Sequence, residues 1–236
     1  MNGSVVKPLA ALALAATAVP CVTAQSVISA RSGLIHFFEG DVYVAGQRLE
    51  MRSGRFENIP DGAEIRTGQG RAEILLNPGV FLRIGEHSAV RMLDSDIVNT
   101  RLELSSGSAA IDCTQGGPGP MLTLVAGQRD VHFLNGGLYR LDSEPPIIRV
   151  HTGKAEVASG GRESITVDRD MSLRLQAAAA PEASRLDLKD PLADWSVSRR
   201  QSIMAENEIS QNRPKSHRGG HAFRGPVRPV LLPHRL

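Results

Sequence analysis

The chain predicts an all-β fold: stacked short strands and hairpins, forming a flattened sandwich or irregular β-solenoid, followed by a C-terminal helix and a disordered tail. Three observations carry this. From Gly33 to Val90, apolar runs of four to six strand-favouring residues each end at a glycine or another residue that relieves backbone strain. A short unit recurs, two alternating apolar residues, a polar corner, a glycine, then alternation resuming at alanine. It reads Leu102-Glu-Leu104-Ser-Ser-Gly107-Ser-Ala109-Ala-Ile111 and again Ile148-Arg-Val150-His-Thr-Gly153-Lys-Ala155-Glu-Val157, with a looser copy at Ile65–Ile74. Third, residues are helix-like only near the C-terminus. Alternation makes one face of each strand apolar, so a lone sheet would leave that face wet and two layers must cover each other. The spacing of the units is irregular, which does not demand a strict solenoid.

Residues 1–24 read as a signal peptide. Lys7 supplies the positive start, Leu9 to Val19 is a small-apolar run, and Val22-Thr23-Ala24 offers a cleavage site before Gln25. The run is too short to span a bilayer core, which needs roughly 20 residues. The chain is therefore expected in the periplasm or secreted. Lipidation of Cys21 is the weaker expectation, because Pro20 precedes it. With the leader removed, Cys113 is the sole thiol, so no internal disulfide is available and the fold must rest on its core.

Residues 26–175 form the predicted β domain. Val131 to Tyr139, with Asn135-Gly136 at its centre, reads as a hairpin. Residues 176–189, including Ala177 to Pro181, read as a linker. Residues 190–209 read as a helix, with Asp190 as cap and Pro191 in the first turn. Trp195 is expected to plug the open end of the sheet stack. Residues 210–236 read as a disordered basic tail, rich in Pro and Gly. Six Lys/Arg and no acid follow Asn212, so the whole-chain charge of +2 leaves a body of about −5 once tail and Lys7 are set aside. The tail could contact anionic envelope polymer. Export and a single aromatic, Phe223, argue against nucleic acid as a partner.

No catalytic, cofactor-binding or metal-ligating residue is assigned, and no cofactor is implied. Asp94-Ser95-Asp96 lacks the remaining ligands of a calcium loop and reads as a solvated turn. Asp168-Arg169-Asp170 reads the same way. His36, His87, His132 and His151 are scattered without zinc-ligand spacing. The first, third and fourth alternate with apolar residues as exposed strand positions. His217 and His221 are separated by Gly219-Gly220, against a helix that would align them. Ser105-Ser106-Gly107 lacks the nucleophile-elbow glycine. Cys113 reads as a half-buried strand residue with nothing local to lower its pKa.

The run Ile59-Pro-Asp-Gly-Ala-Glu-Ile-Arg-Thr67-Gly68-Gln-Gly-Arg-Ala-Glu-Ile-Leu-Leu76 resembles the FecR-like domain, as do Phe81-Leu-Arg-Ile-Gly85-Glu-His-Ser88 and Leu102 to Ile111. The resemblance covers roughly Gly33 to Val157. It extends to Asp190–Arg200, which is similar to a helix following the domain in exported bacterial relatives. It implies a bacterial extracytoplasmic β module. In the namesake iron-transport regulator, that module relays a signal from an outer-membrane receptor to a sigma factor. The cytoplasmic segment and transmembrane helix of that regulator are not recognisable here. The resemblance thus implies a non-enzymatic protein-interaction or signalling module with an envelope or periplasmic protein as partner. An envelope glycan or surface-polymer binder is the alternative, and a hydrolase the third reading. Exposure of Trp195, Tyr43 and Tyr139 separates the first two.

Overall fold

The computed structural model describes residues 31–50, 57–114, 119–158, 164–176, 182–183 and 190–212. The leader with Cys21, the basic tail with His217 and His221, and most of the predicted linker lie outside the described residues.

Fifteen strands and one helix are described, so the all-β expectation stands. In chain order the strands are β1 (Leu34–Val44), β2 (Gln47–Arg48), β3 (Glu64–Asn77), β4 (Val80–Ile84), β5 (Ala89–Asp94), β6 (Thr100–Ser106), β7 (Ser108–Cys113) and β8 (Gly119–Ala126). They continue as β9 (Arg129–Phe133), β10 (Gly137–Ser143), β11 (Pro146–Thr152), β12 (Lys154–Ala158), β13 (Ile165–Asp168), β14 (Met171–Arg174) and β15 (Glu182–Ala183). The helix α1 spans Pro191–Asn212.

All strands belong to one sheet folded over itself. The path runs β13-β12-β9-β8-β6-β5-β3-β4-β7-β10-β11-β14-β15, with β1 on the other edge of β3. Its fold line explains the recurring sequence unit. The first half of β3 pairs with β5 and its second half with β4. Likewise β6 pairs with β5 while β7 pairs with β4. Each copy of the unit is therefore a strand that enters in one layer, bends, and leaves in the other. Gly107 makes the bend between β6 and β7 at φ +75°, and Gly153 the one between β11 and β12 at φ +95°. These backbone angles disfavour side chains.

Hydroxyl side chains knit the first bend. The Thr67 hydroxyl donates to the Gly85 carbonyl (2.6 Å) and accepts from the Ser88 amide (3.0 Å), and Ser88 Oγ accepts from the Ser108 amide (2.9 Å). At the second bend, the Tyr139 hydroxyl donates to the Asn135 carbonyl (2.8 Å) and accepts from the Lys154 amide (3.1 Å). The register Gly137↔Cys113 and Asp142↔Ser108 places the two bends at opposite ends of the β7–β10 pair.

Between the layers lies a branched-aliphatic core that includes Ile65, Ile74, Leu82, Ile84, Leu102, Ile111, Leu124, Leu141 and Val157, with Phe133 and Tyr139 packed edge to face. Full burial of each such aliphatic side chain contributes about 1.5–3 kcal/mol.

Several expectations are corrected. Val131–Tyr139 is no hairpin: β9 pairs with β8 and β12, β10 with β7 and β11, so the Asn-Gly corner carries the chain from one layer to the other. Within the predicted linker, Glu182–Ala183 adds a short edge strand to β14. Cys113 is fully buried rather than half-buried. Ser95 is also buried: its amide donates to Asp61 Oδ1 (2.7 Å), so the Asp94–Asp96 turn is tied to the body. The Asp94 and Asp96 carboxylates accept from turn amides of Asp96 and Val98. Asp168 ends β13 and the expected turn follows at Arg169-Asp170, with Asp170 at φ +60°. His36, His132 and His151 do lie in strands, but each is half-buried.

Candidate functional site

The polar face of the β3–β4–β7–β10 layer is not solvated. Inward positions such as Ile74, Leu82 and Ile111 enter the core, which sends Glu73, Arg83 and Asp112 outward. Register places Glu73 directly opposite Arg83 and sets Asp112 on the neighbouring strand. Arg83 Nε donates to Glu73 (2.8 Å) and Arg83 Nη1 to Asp112 (2.5 Å), all three side chains being inaccessible to solvent.

Helix α1 is what covers them. Arg199 donates to Glu73 (2.9 Å), and Arg200 binds Asp112 through two nitrogens. A bulge in β1 between Ile35 and Phe37 turns His36 and Phe37 toward the same face. His36 Nδ1 then lies 2.9 Å from Glu73, and the Arg199 guanidinium sits 4.0 Å over the Phe37 ring. Burial alone would raise the Glu73 carboxyl; His36, Arg199 and Arg83 outweigh it and hold it down at about 2.

A second ionic cluster secures the helix start. Asp190 caps α1, accepting from the Ala193 amide (3.0 Å). It also pairs with Arg140, and His151 Nε2 lies 3.3 Å from its other oxygen. Arg140 bridges to Asp142, which Arg149 and Ser108 also contact. Burial pushes the Asp190 carboxyl up, but His151, the Ala193 amide and Arg140 together hold it well below the usual carboxylate range. Asp142 is lowered in the same way, by Arg140, Ser108 and Arg149 against its burial.

Apolar contact between helix and sheet is small: Leu192 and Ala193 pack on Ala110 and Leu138, with Trp195 at the margin. Trp195 therefore lies on the outer face, under the Arg71 guanidinium (5.0 Å) and beside Phe37 (6.4 Å), and does not plug the end of the stack. The reason is the buried charge beneath, which requires a cover carrying cations. Beyond Arg200 the helix is largely exposed, with Met204 and Ile209 each more than 60 % accessible.

Two recesses open on the molecule, one of them beside the helix. A notch of about 410 Å³ beside the helix start is lined by Arg71, Ser108, Arg140 and Leu192. A cleft of about 600 Å³ opens between the β8–β9 and β10–β11 turns, lined by Glu103, Gln128, Arg129 and Glu144. Among the described residues, no group of three His, Cys, Asp or Glu side chains is placed to hold a metal ion. Burial pushes the Cys113 thiol up to about 12, with Asp112 adding and Arg200 opposing. Of the three aromatic markers, Tyr139 is wholly buried, while Tyr43 and Trp195 are half-buried.

Sequence reasoning did not single out Glu73, Arg83 and Asp112, which sit at the polar positions of apolar strands and look like solvated residues. The available signal was Phe81 and Ala110 on that same nominally polar face, together with Arg199-Arg200 one turn past Trp195.

Among the described residues, no helix is long and apolar enough to cross a membrane. No family model matches the chain, and no curated protein matches it. Two crystal structures of a candidate anti-sigma factor from Parabacteroides distasonis ATCC 8503, at 2.50 and 1.65 Å resolution, are similar to it at 17% and 16% identity, each with a TM-score of 0.42. Each match covers 51% of this chain and 59% of that one, so this chain spans less than two thirds of its neighbour's length. Likeness at this level carries no functional argument.

Proposed function

We propose that the chain is an exported, non-catalytic FecR-like module of the bacterial envelope, acting in signalling or assembly through protein contacts. The observation that carries this reading is the state of the charged side chains under α1. Glu73, Asp112, Asp142 and Asp190 are each engaged by arginine, so the site presents a shaped surface rather than a poised acid, base or nucleophile. The buried Cys113 thiol adds no reactive group. Exposed Val197 and Met204 on α1 offer apolar contact beside that surface.

Envelope-polymer binding is the second reading. A sugar-binding groove needs open aromatic faces; here Tyr139 is buried and Trp195 is engaged by Arg71 and Phe37, leaving Tyr43 as the partly open ring. That balance favours protein contact. Affinity capture from envelope extract tests it, using the mature chain and a form ending at Asn212. Recovery of one stoichiometric envelope protein on both supports the proposal. Retention on cell-wall material, lost with the tail, would replace it with the polymer reading.

A further inference from the structure

The surface beneath α1 has a chemistry of its own. Without the helix it would present two carboxylates, Glu73 and Asp112, bridged by one guanidinium, Arg83, and so one net negative charge. Phe37 and Phe81 border it: Phe81 stacks on Arg83 of the surface itself, whereas Phe37 takes its arginine, Arg199, from the helix. With α1 docked, Arg199 and Arg200 reverse that sign, and Arg83 Nη2 and Arg199 Nε are buried with no hydrogen-bond partner among the described residues. The docked state thus leaves two buried guanidinium N–H groups unsatisfied, a cost that docking must offset. The undocked state is also tolerable, because Arg83 bridges both carboxylates and water can reach them. An apolar interface would lack that second option. Helix attachment is short as well: Leu192, Ala193, Ser196, Arg199 and Arg200 face the sheet, and the half beyond them overhangs.

We propose that α1 is an exchangeable strap over an acidic, aromatic-edged sheet face whose partner is a protein helix displaying adjacent arginines, the chemistry that α1 itself supplies in cis. This rests on the protein-contact reading above and names the surface and the partner's recognition element. The strap sets a threshold, since a tethered helix competes at an effective concentration of about millimolar. A partner helix enters when it binds better than α1 or when α1 is held elsewhere.

The test uses the full chain and a fluorescent peptide of residues 190–212. Amide exchange should show α1 opening at least 100-fold more often than β10 in the unmodified protein. Arg199→Glu/Arg200→Glu should free α1 while leaving β10 protected, and should bind the peptide at least 10-fold tighter than the unmodified protein does. A peptide carrying the same two changes should bind that variant at least 10-fold more weakly. If the double variant also loses β10 protection, Arg200→Ala gives the same comparison, with tighter peptide binding as the supporting result. Peptide binding no tighter in a variant with α1 released, or α1 exchange as slow as β10, overturns the strap. Capture of an envelope protein by a chain with either result would leave the broader protein-contact reading standing, so the two failures are separable.

Discussion

Tyr139 is the residue on which the second bend depends. Its ring lies in the core against Phe133, while its hydroxyl ties Asn135 to Lys154 across the corner. Tyr139→Phe keeps the ring and removes two part-buried hydrogen bonds across the corner, so it should cost about 1–2 kcal/mol in urea unfolding. Gly107 does the equivalent work at the first bend. A Cβ there would sit 2.2 Å from Ser88 Oγ and 2.6 Å from Ser88 Cα, on a backbone at φ +75°. Gly107→Ala should therefore lower stability by at least about 1–3 kcal/mol, seen as a lower thermal midpoint. Glu73 supplies a pH signature. Its folded value of about 2 lies below the ordinary 4.5, so its stabilising share is complete above pH 4.5 and is lost as pH falls toward 2. Asp190 and Asp142, also lowered, act with the same sign. Denaturant titrations should show stability level above pH 5 and falling below it, less steeply in Glu73→Gln.

At the scale of elements, α1 is held by caps and charges more than by apolar area. Asp190→Ala removes both the cap and the partner of Arg140 and His151; helix capping alone is worth about 1 kcal/mol. The expected outcome is loss of helical circular dichroism with the β signal intact. Strands, their glycine bends and the helix with its Asp-Pro start were legible in the sequence, because strand alternation and capping are local rules. The Asn135-Gly136 corner was misread because an Asn-Gly pair reports a tight turn and says nothing of which strands flank it. Pairing of β9 with β8 and β12, and of β10 with β7 and β11, is decided by the folded layers.

For the whole molecule, the same limit hid the site. Glu73, Arg83 and Asp112 are drawn from three strands and completed by a helix 126 residues beyond Glu73. Alternation marks each as outward-facing, and only the long-range docking of α1 decides that this outward face is buried. The layered core, by contrast, follows from alternation alone. A folded sheet carrying a charged helix on its outer face suits recognition of another protein, and the position of Met204 on the overhanging half of α1 makes that directly measurable. A photo-crosslinking side chain at position 204, activated in the native cells, should yield one discrete adduct with an envelope protein, while the same group at exposed Val98 on the body should not. Adducts only with cell-wall polymer, or equal yields from both positions, would contradict a protein-recognition surface centred on this helix.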